Sequence, residues 1–296
     1  MTNSTVSLDD KYSIESGRIF VTGVQALARI PMVQRQRDVL EGLNTAGFIS
    51  GYRGSPVGGF DQQLWRAKKF LEQNHIRFQP GLNEDLAASA IWGSQQTNLH
   101  EGGKYDGVFA IWYGKGPGVD RCGDVFKHGN MSGPAKHGGV LLIAGDDHAA
   151  KSSTVPHQSE YAFMDASIPV LNPAGVQDIV DYGILGFAMS RFSGCWVAFK
   201  TTAENMDSSA SIDVSPDRVK ISLPKFDMPE GGLSIRWPDD WIEQEHRLHQ
   251  YKLNAVRAFA RQNKIDKTIM NSQNPKLGIV TTGNWYLDVR QALEDF

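Results

Sequence analysis

Val108-Phe-Ala-Ile-Trp-Tyr113 is apolar at every position and runs straight into Gly114-Lys-Gly-Pro-Gly-Val-Asp120. A run with no polar alternation predicts a strand buried on both faces, and such strands belong to parallel sheets covered by helices on either side. Similar runs occur at Phe48-Ile-Ser-Gly-Tyr52, Ile76-Arg-Phe-Gln79, Val140-Leu-Leu-Ile-Ala144, Ile168-Pro-Val-Leu171 and Cys195-Trp-Val-Ala-Phe199. Segments 59–73, 85–99 and 176–192 lie between them and read as helices. The alternation predicts an α/β fold with a doubly wound parallel sheet.

Outward from this core the organisation is expected to change twice. Residues 1–17 read as a polar leader and 18–205 as one doubly wound domain. Residues 206–270 read as an irregular, β-rich segment, with alternation at Val219-Lys-Ile-Ser-Leu223, followed by a helix over 241–262. Leu248, Tyr251, Ala255 and Phe259 share one face of that helix. Asn271-Ser-Gln-Asn-Pro275 is a turn-rich boundary. Beyond it, Lys276-Leu-Gly-Ile-Val-Thr-Thr-Gly283 predicts a strand and 286–295 a helix, the start of a second, truncated α/β domain whose residues 276–296 are expected to pack poorly or be mobile. The competing reading makes them the last strand and helix of the first sheet.

Composition narrows the function. The 296 residues are 41% hydrophobic and 21% charged with net charge −3, so neither nucleic acid nor anionic membrane is an expected partner. The two cysteines, Cys122 and Cys195, cannot build a disulfide framework, a four-cysteine zinc site or a complete iron–sulfur cluster. A reducing, cytoplasmic setting is expected, since no apolar run of about 18 residues predicts a membrane span and the amino terminus has no signal-peptide pattern.

Four strand-end loops carry the candidate chemistry, because ligands of open α/β sheets bind outside the carboxyl ends of the strands. The first is Gly51-Tyr-Arg-Gly-Ser-Pro-Val-Gly-Gly59, whose glycines permit close backbone approach to a ligand or simply a tight turn. The second is Asn83-Glu84 at the start of an Ala-rich helix. There Glu84 is either a reacting carboxylate or a residue favoured by the helix dipole. The third, Gly114 to Asp120, lacks the G-x-G-x-x-G spacing, and no P-loop pattern is present. The fourth, Gly145-Asp-Asp-His-Ala-Ala-Lys-Ser-Ser-Thr-Val-Pro-His-Gln-Ser159, packs acids, hydroxyls, two histidines and a lysine together. His75, His100, His128 and His137 have no ligand spacing that predicts zinc. Cys122 beside Arg121 reads as a small buried residue or a thiol of lowered pKa.

In their order along the chain, these loops, with Ile168-Pro-Val-Leu-Asn-Pro173, resemble the pyrimidine-binding domain of the thiamine-diphosphate-dependent 2-oxoacid:ferredoxin oxidoreductases, specifically the indolepyruvate-oxidising members. The resemblance covers residues 18–205, and residues from 276 resemble the start of the transketolase-C-like domain. It implies oxidative decarboxylation of a 2-oxoacid such as indolepyruvate to an acyl-CoA, with electrons passing through [4Fe-4S] clusters to ferredoxin. Glu84 then matches the carboxylate that hydrogen-bonds the pyrimidine ring and favours its imino tautomer. Gly54, Ser55, Pro56, Asn83, Gly118 and Asp120 would line the cofactor, and Arg53, Ser55, Ser152 and Ser153 the substrate. The Gly-Asp-Gly motif for Mg2+ and diphosphate is missing, so the resemblance implies half a site, completed by other domains or subunits, with a dimeric assembly expected. Arg53 stands where the family commonly has Pro in Gly-Tyr-Pro-Gly-Thr-Pro, which points to the long fused branch. The 115–120 stretch also departs from the Met-Lys-containing motif of two-subunit members. Competing functions are a nucleotide- or coenzyme-A-binding domain, with Asp146 as the ribose partner, and a non-catalytic interaction domain.

Overall fold

A computed structural model describes residues 6–152 and 155–294. In chain order the elements are α1 (Asp10–Ser13), β1 (Arg18–Thr22), α2 (Gly23–Leu40), β2 (Ala46–Gly51), a 3-10 turn (Val57–Gly59), α3 (Phe60–Arg66), α4 (Lys68–Gln73) and β3 (Ile76–Phe78). Next come α5 (Glu84–Gln95), β4 (Val108–Lys115), α6 (Gly116–Arg121), α7 (Gly123–Ser132), β5 (Val140–Asp146), α8 (Glu160–Asp165), β6 (Val170–Leu171), α9 (Val176–Ser193) and β7 (Val197–Thr202). The rest comprises α10 (Ala203–Asp207), β8 (Ser209–Asp213), α11 (Trp241–Arg247), a π-helical turn (Leu248–Lys252), α12 (Leu253–Gln262) and α13 (Trp285–Glu294).

Six strands form one all-parallel sheet in the order β3-β2-β4-β5-β7-β6. The apolar runs form its centre because both faces are covered. On one face α2, α3, α4 and α9 pack Leu27, Phe60, Leu71 and Phe187 against Ile49, Phe109, Ile111 and Ile143. On the other, α5, α6, α7 and α8 bring Ile91, Val119, Phe126 and Phe163 onto Trp112, Leu142 and Ala198. The predicted doubly wound sheet is therefore present.

Several local expectations are corrected. The helix expected at 59–73 divides at Ala67 (φ −81°, ψ 0°), and Leu64 and Leu71 are buried in its two halves. The helix expected to reach residue 99 stops at Gln95, whose buried amide donates to the Val108 carbonyl and accepts from Ala135 N. The alternation at 219–223 forms no strand: Arg37 binds the Pro216 and Val219 carbonyls, and Asn263 binds Ser222 on both its N–H and its carbonyl. The stretch 276–283 forms no strand either, since it lies largely exposed with no neighbouring strand among the described residues. Conversely, β1 pairs antiparallel with the sequence-distant β8 in a separate two-stranded sheet, from Arg18 opposite Asp213 to Thr22 opposite Ser209. The helix expected over 241–262 is present but widened by the π turn at its middle.

Helix α2 has no apolar stripe because it is buried almost all round, charged groups included. Arg29 donates to the Tyr12 and Ile14 carbonyls, and burial pushes its guanidinium down to about 10. Asp38 accepts a bidentate pair from Arg191 at 2.6 and 2.8 Å, tying α2 to α9.

Candidate functional site

The chain leaves β2 toward α3 and α4 on one face of the sheet, and leaves β4 toward α6 and α7 on the other. Adjacent strands whose connections part this way open a crevice at their carboxyl ends. Gly51 lies opposite Tyr113 there, and Lys115 opposite Gly145.

Glycine allows the loops to interlock at this edge. A Cβ at Gly51 would lie 2.2 Å from the Tyr113 carbonyl oxygen, and one at Gly54 would lie 2.8 Å from Lys115 Cβ. Pro56, reached through a cis Ser55–Pro56 peptide, packs on Gly145, where a Cβ would meet its Cδ at 3.0 Å. Arg53 and Ser55 of the same loop are exposed. Lys115 Nζ crosses to the fourth loop, donating to Ser152 O at 2.9 Å and Ser152 Oγ at 2.7 Å, with Asp147 at 3.8 Å. Asp147 in turn accepts from the N–H of Ser152 and of Lys151, and these bonds, the Ser152 backbone first, hold its carboxyl below the usual range. Ser153 lies outside the described residues.

Glu84 opens α5 at the same edge. Asn83 caps that helix, its side-chain oxygen accepting from Leu86 N at 2.8 Å, so this atom is committed to the helix. The Glu84 carbonyl accepts from Trp112 Nε1 at 3.0 Å, which anchors the residue to β4. Its side chain packs on Gly118, where a Cβ would lie 2.5 Å from Glu84 Cγ. The carboxylate is 15% exposed, with Arg121 Nη1 3.9 Å away. Among the described residues it accepts no hydrogen bond. Asp120, 60% exposed, is bonded to His157 Nε2 at 2.7 Å.

Behind these groups lies a buried charged layer. Asp146 is fully buried, accepting from Ser159 N at 2.9 Å and Ser159 Oγ at 2.5 Å, with Lys200 Nζ at 3.6 Å. Lys200 also binds Glu160. Burial pushes Glu160 up, but the Lys200 ammonium, its own backbone N–H and nearby His148 together outweigh it, and the carboxyl sits below its usual range. With both oxygens engaged, Asp146 cannot serve as a ribose partner. Cys122 is buried, and burial, then Asp85 and Glu84, push its thiol up, which favours the inert reading of that cysteine.

The four expected segments, Gly51 to Ser55, Glu84, Lys115 to Asp120 and, as far as Ser152, Asp146 to Ser153, thus meet at one edge of the sheet. Arg121, Glu160 and Lys200 were not anticipated there, and the sequence pattern assigns His157, although inside the fourth loop, no role of its own. For Lys200 a signal existed: a lysine directly after the apolar run 195–199 has to find an anionic partner or solvent. Arg121 and His157 are placed by contacts between loops distant in sequence.

In fold the chain is similar to a 2-oxoacid:ferredoxin oxidoreductase. The chain superposes on the 2-oxoglutarate:ferredoxin oxidoreductase of Magnetococcus marinus, solved with 2-oxoglutarate, coenzyme A and succinyl-CoA bound, with a TM-score of 0.60 over 94% of this chain and 51% of that one, at 15% identity. In sequence it is similar to indolepyruvate oxidoreductase subunit IorA of Pyrococcus abyssi (25% identity over 93% of the chain) and of Pyrococcus horikoshii (24% over 93%). A third such subunit, from Methanothermobacter thermautotrophicus, is 20% identical over 95%. The chain spans 39% of the length of the two Pyrococcus relatives. No protein-family model matches it. Among the described residues no helix is long and apolar enough to cross a membrane.

Proposed function

We propose that this chain forms the pyrimidine side of the thiamine-diphosphate site in a cytoplasmic indolepyruvate (2-oxoacid):ferredoxin oxidoreductase. Support comes chiefly from Glu84, a partly covered carboxylate at the strand-end crevice with its hydrogen-bonding capacity unspent and a glycine-lined surface beside it. Such a group fits a neutral aromatic ring that offers a nitrogen. When bound, thiamine diphosphate supplies an electron sink for decarboxylation of the 2-oxoacid. Glu84 would hold the proton shared with the ring nitrogen. Gly54, Ser55 and Pro56 would form one wall, Gly118 and Asp120 another, with Asn83 holding the helix start that presents Glu84. The Arg53 guanidinium and the hydroxyls of Ser55 and Ser153 would receive the carboxylate of the 2-oxoacid, next to Ser152, whose own hydroxyl donates to Asp147 at 2.9 Å. The Mg2+ and diphosphate seat, the [4Fe-4S] clusters, the coenzyme A site and the ferredoxin surface belong to other domains or subunits of a dimeric enzyme.

The test is Glu84→Gln in the full-length enzyme. An amide cannot pass the shared proton, so 2-oxoacid turnover is expected to fall by about a hundredfold or more while folding is retained. Turnover close to the parent's overturns the reading.

A further inference from the structure

His157 is wedged between two elements of the site. Its Nε2 is 2.7 Å from the Asp120 carboxylate on α6, and since a carboxylate accepts, Nε2 donates. Its Nδ1 is 3.7 Å from Asp146 Oδ1 at the end of β5, beyond hydrogen-bonding reach, and is buried without a partner among the described residues. The first turn of α6 rests on the ring: a Cβ at Gly116 would lie 2.2 Å from His157 Nδ1 and 2.3 Å from Cγ. Two residues further along α6, Gly118 meets the Glu84 side chain, and at its end Arg121 faces the Glu84 carboxylate. An unbroken series of contacts therefore runs from β5 through the imidazole and α6 to Glu84.

We propose that His157 is a positioning residue for Glu84, a rigid strut that sets how closely α6 presses on that side chain and so where its carboxylate points. Asp146 is held from behind by Ser159 and Lys200, which gives the strut a fixed base. Asp120 ties its other end to α6. The proposal rests on the reading of Glu84 as the cofactor's carboxylate and adds a residue that never touches the cofactor itself.

Two amide substitutions test it in the full-length protein, with thiamine diphosphate plus Mg2+ as the titrant. The terminal amide of His157→Gln can occupy the place of Nε2 and keep the bond to Asp120, whereas His157→Asn is too short to reach. The Gln variant is expected to keep the parental Kd within about threefold, and the Asn variant to weaken it about tenfold or more. In a Glu84→Gln background the Asn substitution is expected to add less than about a twofold change, because the two residues act along one path. A merely space-filling histidine would lower the melting temperature of both variants alike and leave the Kd difference absent. Equal Kd values for the two variants, or a fully additive effect on Glu84→Gln, overturn the proposal. If Glu84→Gln turns over normally, the site reading falls and takes the strut with it. An inactive Glu84→Gln combined with a parental His157→Asn removes the strut alone.

Discussion

Lys200 and Lys252 are both buried, one at the carboxyl edge of the sheet and the other against the end of α7, and their surroundings treat them differently. Lys200 lies between Glu160 and the fully buried Asp146. Among the described residues Lys252 hydrogen-bonds backbone alone: its ammonium donates to the Met131 carbonyl at 2.7 Å and the Asn130 carbonyl at 3.2 Å, at the carboxyl end of a helix. Burial pushes Lys252 down to about 8, with Cys195 and Asp239 acting against it and Arg247 and Arg236 with it. Carbonyl dipoles suit a cation but do not replace carboxylates. At the candidate site the buried lysine is thus matched directly by carboxylates, while at the α7 junction Lys252 meets a helix end and has the Arg247–Asp239 pair only as a neighbour.

The sharpest way to break this comparison is Lys200→Met. Removing one member of a buried pair leaves the other uncompensated, so Asp146 would be stranded and the fold is expected to lose about 3–5 kcal/mol in urea denaturation. A loss below about 1 kcal/mol would mean that Ser159 alone sustains Asp146.

Lys252→Met is expected to act mainly through pH. Below about pH 8 Lys252 is protonated in both folded and unfolded chains, and the full penalty of burying its charge is present. As pH rises past 8 the folded chain releases the proton, while the unfolded chain holds it to about 10.4. The unfolded state then binds more protons, so the contribution of Lys252 to stability rises with pH, by about 3 kcal/mol at most across that window. Cys195 next to it, pushed up to about 11 by burial, works in the opposite sense, so the parent-minus-variant difference is the quantity to measure. A difference flat from pH 7 to 10 would overturn this account of Lys252.

The smallest effect concerns the exposed rim. Arg53→Ala is expected to raise the KM for the 2-oxoacid by up to about fivefold, since an exposed ion pair contributes at most about 1 kcal/mol. An unchanged KM in steady-state kinetics removes Arg53 from the substrate side.

The comparison also separates what was legible in the sequence from what was not. The sheet could be read because strands buried on both faces leave no alternative to unbroken apolar runs, as at Val108 to Tyr113 and Val140 to Ala144. The placing of Glu84 could be read because a strand, a turn and an Asn cap precede it within a few residues. Helix α2 escaped notice since burial of Arg29, Gln34 and Asp38 erases its periodicity. Strand β1 shows a short alternation whose partner, β8, lies near residue 211. Local pattern carries no information about that pairing, nor about which acid a buried lysine will meet. The same limit explains the strand expected at 276–283: alternation licenses a strand but does not supply a neighbour for it.

The parting of the chain between β2 and β4 has a consequence for inheritance. A cleft cut by side chains can be filled by one larger residue, but this one is a seam left by the order in which the strands are connected. It survives any exchange of side chains that preserves the connectivity. Loops can therefore diverge without closing the crevice that the connectivity leaves. What a lineage can change cheaply here is the lining of the crevice, and what it can hardly change is its address.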